Sequence, residues 1–170
     1  MRCPQCDSDN FPGEDYCENC GTDLRESDLF TPEGLGAKVL SDTITNLDPP
    51  EPLVVNSDAT VKDAVELMKT RGHGSVIIVD EGKFNGIFTE RDLLKRVVSK
   101  GLEADSVIIS KVMTKKVQTL KETDSIAFAL NRMSIHSIRH IPIMRKNKPV
   151  GIISVRGMLK YLAEHTLEKA

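Results

Sequence analysis

Four cysteines lie within the first twenty residues, as Cys3-x-x-Cys6 and Cys17-x-x-Cys20-Gly21, with ten residues between the pairs. Four thiolates at this spacing can close a tetrahedral site for a soft divalent ion, with zinc the expected occupant and iron its main competitor. Residues 1–24 carry only Phe11, Tyr16 and Leu24 as large apolar groups, too few for a core. A bound metal would then supply most of the folding free energy of this segment. Two disulfides are the rival reading, and a cytoplasmic location argues against them. The same residues hold Arg2 against Asp7, Asp9, Glu14, Asp15, Glu18 and Asp23. That surface repels a phosphate backbone and reads as a docking face for another protein.

The second stretch that could carry chemistry is Gly86-Ile87-Phe88-Thr89-Glu90-Arg91-Asp92. Ile87 and Phe88 close a strand, Thr89 sits where a helix cap belongs, and an amphipathic run follows Asp92. A strand delivered into a helix N-terminus leaves unpaired N–H groups aimed at one spot, which suits a phosphate. Asp92 can accept two hydrogen bonds from a ribose diol. The plain alternative is an N-cap followed by a first-turn acid.

The stretch recurs as Gly151-Ile152-Ile153-Ser154-Val155-Arg156-Gly157, displaced by 65 positions, and the offset holds from Thr60–Val98 onto Ser125–Ala163. Two copies of one supersecondary unit are therefore expected, each burying its apolar face.

Each copy reads β-α-β-β-α. In the first, Leu53–Val55 is a strand, Ser57 or Thr60 caps a helix with Val61, Ala64, Val65 and Met68 on one face, and Ser75–Val79 is an apolar strand. Asp80-Glu81-Gly82 turns the chain, Lys83–Phe88 returns, and the Thr89 helix follows. In the second, Ile126, Ala129, Leu130 and Met133 mark the helix, His140–Met144 and Pro149–Ile153 the hairpin, and a helix follows Ser154. Ahead of them, Ser27 to Gly34 reads as a solvated linker. Leu35, Val39, Leu40, Ile44 and Leu47 then keep helical spacing for about three turns until Pro49 and Pro50. The expected division is residues 1–24, a linker with an amphipathic helix over 25–47, and copies over 48–110 and 111–170.

Apolar content of 39% with 28% charge and a net charge of −2 is that of a soluble globular protein. No run approaches a membrane span and the N-terminus has no signal core, so a cytoplasmic protein without a membrane role is expected. From Lys111 onward there are twelve Lys and Arg against Glu122, Asp124, Glu164 and Glu168, which suits a polyphosphate ligand or an acidic partner. No nucleophile–base–orienter set, paired-carboxylate cleft or open metal site is visible, so no enzyme activity is expected.

Residues 1–24 resemble the short zinc ribbons. The doubled unit resembles the CBS-domain pair, or Bateman module, on its strand–helix G-h-x-[ST]-x-x-D stretch, on Lys111-Val112-Met113-Thr114 and on Arg139-His140-Ile141-Pro142-Ile143. The resemblance implies an α+β fold with two three-stranded sheets and four helices in pseudo-twofold symmetry. It implies a regulator that binds adenosine-containing ligands (AMP, ADP, ATP, S-adenosylmethionine) between the copies and pairs into a homodimer. By the same resemblance, Thr89, Asp92 and Ser75 face ribose and phosphate in a first cleft, with Met113, Gln118 and Ile138 around adenine and Arg139 toward phosphate. A second, weaker cleft would use Ser154, Gly157, His140 and Leu53. There Gly157 replaces the acid, and Ser154 reads first as an N-cap. Nucleic-acid association through the basic second copy is the alternative function.

Overall fold

The computed structural model describes residues 2–3, 5–11, 14–24 and 35–167. The expected linker over Ser27–Gly34 lies outside them. The chain forms two compact units, one of residues 1–49, 120–140 and 153–170, the other of residues 50–119 and 141–152.

In the second of these units, β1 (Val54–Asn56) pairs parallel with β2 (Ser75–Asp80), which pairs antiparallel with β3 (Lys83–Thr89). The crossover between β1 and β2 is α2 (Val61–Arg71), capped at its start by the Thr60 hydroxyl and ended by Gly72 at φ +65°. Thr60 and Asp63 form a reciprocal capping box, which takes up amide donors that the first turn would otherwise leave unpaired. β2 reverses into β3 through Glu81 and Gly82, both at positive φ, the turn whose twist suits a two-residue hairpin. Val61, Ala64 and Met68 of α2 pack against Val76, Ile78 and Phe88 of the sheet, and Ile109, Val112 and Met113 close the cluster. Burying each such large side chain stabilises the unit by roughly 1.5–3 kcal/mol.

The second copy repeats the order with α4 (Ile126–Ile135), β4 (His140–Arg145), β5 (Lys148–Ser154) and α5 (Val155–Leu167). Its hairpin uses Lys146 and Asn147, again both at positive φ. Its sheet has two strands, where the resemblance implies three. The missing strand is the counterpart of β1: at the 65-residue offset, residues 119–121 form no strand.

In the first unit, α1 (Leu35–Ser41) packs on α4 and α5. The expected continuous helix from Leu35 to Leu47 is not formed. α1 stops at Ser41, Thr43 is extended, and a 3-10 turn covers Ile44–Leu47. The backbone there is committed elsewhere: Ile44 donates to the Asp124 carbonyl and Ile126 to that of Asp42, each at 2.9 Å. The same pair of bonds joins Ile109 to Ala59 and Val61 to Val107, so the offset of 65 reaches back to Asp42.

Candidate functional site

β3 delivers the chain straight into α3 (Glu90–Asp92), and the Glu90 amide is held by the Gly74 carbonyl at 3.1 Å. The helix then widens into a π turn over Leu93–Val97 and tightens to a 3-10 turn over Val98–Lys100. Such local widening often accompanies functional positions. Asp92 is buried at 8% exposure, and Ser75, which pairs with Thr89 across the sheet, at 3%.

Each Asp92 oxygen has two partners. Oδ2 accepts from the Thr89 amide at 3.0 Å and the Thr89 hydroxyl at 2.8 Å. Oδ1 accepts from the Thr114 hydroxyl at 3.0 Å and lies 3.4 Å from Nε of Arg96. Arg96 Nη1 also donates to the carbonyls of Val112 at 2.9 Å and Met113 at 2.6 Å. A single guanidinium thus ties the Met113 segment to the buried acid. Gly86 permits that approach, since a Cβ there would stand 2.6 Å from the Thr114 carbonyl oxygen and 3.0 Å from the Met113 sulfur.

Ser75, Thr89, Asp92 and Met113 are accordingly brought to one end of the sheet. Gln118 belongs to the same unit and is exposed, while half-buried Ile138 and exposed Arg139 belong to the other. Sequence reasoning missed Arg96, which has no signature of its own, and Thr114, although the latter stood inside a quoted motif.

In the second copy, the Ser154 hydroxyl accepts from the Gly157 amide at 3.2 Å, and the Val155 amide donates to the Arg139 carbonyl at 3.1 Å. Ser154 therefore caps α5 as expected. Gly157 is exposed and offers no acceptor in place of Asp92. His140 is half-buried at the start of β4, and Leu53 packs against the core cluster of its own unit, residues 50–119 and 141–152.

The four cysteine sulfurs lie within 4.8 Å of one another, with Cys3–Cys20 at 3.6 Å and Cys6–Cys17 at 3.4 Å. None is in a disulfide. A tetrahedral zinc with sulfurs at about 2.3 Å needs sulfur–sulfur edges of roughly 3.8 Å, so the donor set fits the ion. The two knuckles are built alike. The Cys3 amide donates to the Ser8 carbonyl and the Cys17 amide to that of Thr22, with Asp7 and Gly21 at positive φ in the turns. Burial pushes the Cys3 thiol up to about 12 and also raises Cys20. At Cys17 burial acts in the same direction, but hydrogen bonds from Ser8 and the amides of Cys20 and Asn19 outweigh it and bring the thiol to about 5. Leu24 and Phe128 of α4 pack against the cysteines.

The fold and the repeated strand–helix turn define a tandem β-α-β-β-α module, and comparison with known proteins agrees. The CBS domain matches twice, over residues 45–99 and 109–164. The chain belongs to the CBS domain family. It is 32% identical over 118 residues to an uncharacterized 17.7 kDa protein of Acidianus ambivalens, covering 68% of this chain and 70% of that one. It spans 28% of a larger CBS domain-containing relative from Arabidopsis thaliana. A protein with CBS domains from Burkholderia ambifaria superposes with a TM-score of 0.68 at 27% identity, over 72% of this chain and 95% of that one. A CBS domain protein from Pyrobaculum aerophilum, complexed with AMP, shares the fold with a TM-score of 0.63 at 22% identity, over 72% of this chain and 99% of that one. Among the described residues no helix is long and apolar enough to cross a membrane.

Proposed function

We propose that this chain is a non-catalytic regulatory module of the cytoplasm that binds an adenosine-containing nucleotide through the first-copy turn. The observation that carries this reading is the buried Asp92 carboxylate at the Thr89 helix start, with Ser75 and Met113 held beside it. Asp92 takes the ribose diol, exchanging some of the protein donors that now occupy its oxygens. Thr89 and Ser75 serve ribose and phosphate, Met113, Gln118 and Ile138 the adenine, and Arg139 the phosphate. The AMP complex of a protein with the same fold supports this choice of ligand class. Ser154, Gly157, His140 and Leu53 form a second cleft that binds less tightly.

The four cysteines hold zinc, or iron in its place, and the metal supplies a rigid tetrahedral node for a segment with little core. The acidic ribbon docks a protein partner. Leu94 and Leu159, equivalent across the repeat and each 60% exposed, support a homodimer through the repeats. The charge excess of the second copy favours nucleic-acid association as the alternative, which filter binding of random RNA and DNA across salt would separate.

A thermal-shift series with AMP, ADP, ATP, S-adenosylmethionine and NAD tests the main reading, because a ligand that binds only the native state raises its stability. At least one adenosine compound is expected to raise the midpoint. No shift with any of them would sink the reading.

A further inference from the structure

The ribbon's two knuckles repeat each other at an offset of 14 residues, and the repeat includes two hydroxyls as well as the cysteines. Cys3, Cys6, Asp7 and Ser8 stand opposite Cys17, Cys20, Gly21 and Thr22. The Ser8 hydroxyl lies 2.9 Å from the Cys6 sulfur and 3.1 Å from the Cys17 sulfur, between the two. The Thr22 hydroxyl lies 3.0 Å from the Cys20 sulfur. Among the described residues Cys3 has no hydroxyl at its sulfur and receives the Gln5 amide at 3.4 Å instead.

We infer that Ser8 and Thr22 complete the metal site as hydrogen-bond donors to the thiolates, an inference that rests on the metal reading above. Four thiolates around a divalent ion leave about two negative charges, and three of the sulfurs are buried. Buried charge needs compensation. Among residues 1–24 the only basic side chain is Arg2, and it is engaged by Asp7 at 3.3 Å and Asp9 at 3.7 Å. With no cation directed at the sulfurs among the described residues, the charge falls to hydrogen-bond dipoles: the Asn19 side chain serves Cys6, the single Ser8 hydroxyl proton is shared between Cys6 and Cys17, and the Thr22 hydroxyl serves Cys20. Outer partners of this kind fix the orientation of metal ligands and typically change metal affinity by about tenfold to a hundredfold.

The test uses the full chain, loaded with cobalt(II) or with zinc. Affinity is read by competition with a chelator, and the sulfur-to-cobalt charge-transfer band is read at saturating metal. Ser8→Ala and Thr22→Val should each weaken binding by about tenfold or more. Each should also move the charge-transfer band to longer wavelength, because a thiolate that accepts no hydrogen bond gives up its electron more easily. Ser8→Thr and Thr22→Ser, which keep the hydroxyls, should restore most of both properties. Variants with wild-type affinity would overturn the inference. So would weakened affinity with an unmoved band, since the hydroxyls would then act only through the turns. A wild-type chain that binds neither metal would overturn the metal reading and this inference with it.

Discussion

Thr89 and Ser154 open the last helix of the two copies in the same way, each hydroxyl accepting from the amide three residues on, at 3.3 Å from Asp92 and 3.2 Å from Gly157. The next step differs. Asp92 returns its carboxylate to Thr89 and reaches Thr114 and Arg96, while Gly157 returns nothing. The helices differ accordingly: the first is interrupted by a π turn immediately after Asp92, whereas α5 runs as regular helix for thirteen residues. One side chain thus separates a turn with a buried, fully partnered acid from a turn that starts its helix without one. The lesson is that a duplicated unit can keep its scaffold in both copies and concentrate its polar chemistry in one.

Alanine at the two equivalent positions should break that comparison most sharply. Asp92→Ala loses the reciprocal cap and leaves Arg96 and Thr114 without their carboxylate, at a cost of about 2–4 kcal/mol in urea unfolding. A loss below about 0.5 kcal/mol would show that the network contributes little. Gly86→Ala comes next. Its Cβ must displace the Thr114 carbonyl or the Met113 sulfur, which should destabilise the chain by about 1–3 kcal/mol. It should also weaken adenosine binding by moving Met113. Unchanged values for both would mean that the Met113 segment is not set by this contact.

The smallest effect has the opposite sign. Gly157 lies in the first turn of α5 without a positive φ, and a Cβ there would meet nothing nearer than the Ser154 hydroxyl at 3.7 Å. Gly157→Ala should therefore stabilise the chain, by up to about 1 kcal/mol, through helix propensity alone. The urea midpoint should rise at constant slope. A fall would mean that the glycine serves a close approach.

Much of this was legible because it is written in local chemistry. The repeat, Thr60 and Ser154 as caps, the two hairpins and the clustered cysteines all follow from residue type and spacing. The helix over Leu35–Leu47 was misread because its apolar spacing survives a break that backbone bonds to Asp124 and Ile126 impose from far along the chain. Arg96 was illegible for a similar reason: its carbonyl partners lie 16 and 17 residues away, and nothing in its own neighbourhood announces them. Ser8 and Thr22 are common turn residues, and only the sulfurs beside them give them a second role.

The inequality of the two copies is tested most directly by titrating the full chain with AMP in a calorimeter, in the wild type and in Asp92→Ala. Losing a charged hydrogen-bond partner costs a ligand roughly 1.5–3 kcal/mol, or about tenfold to over a hundredfold in affinity. One tight equivalent per chain, alone or with a much weaker second, should appear in the wild type and vanish in Asp92→Ala. Two equal sites that both survive the substitution would contradict the account and place the binding chemistry elsewhere.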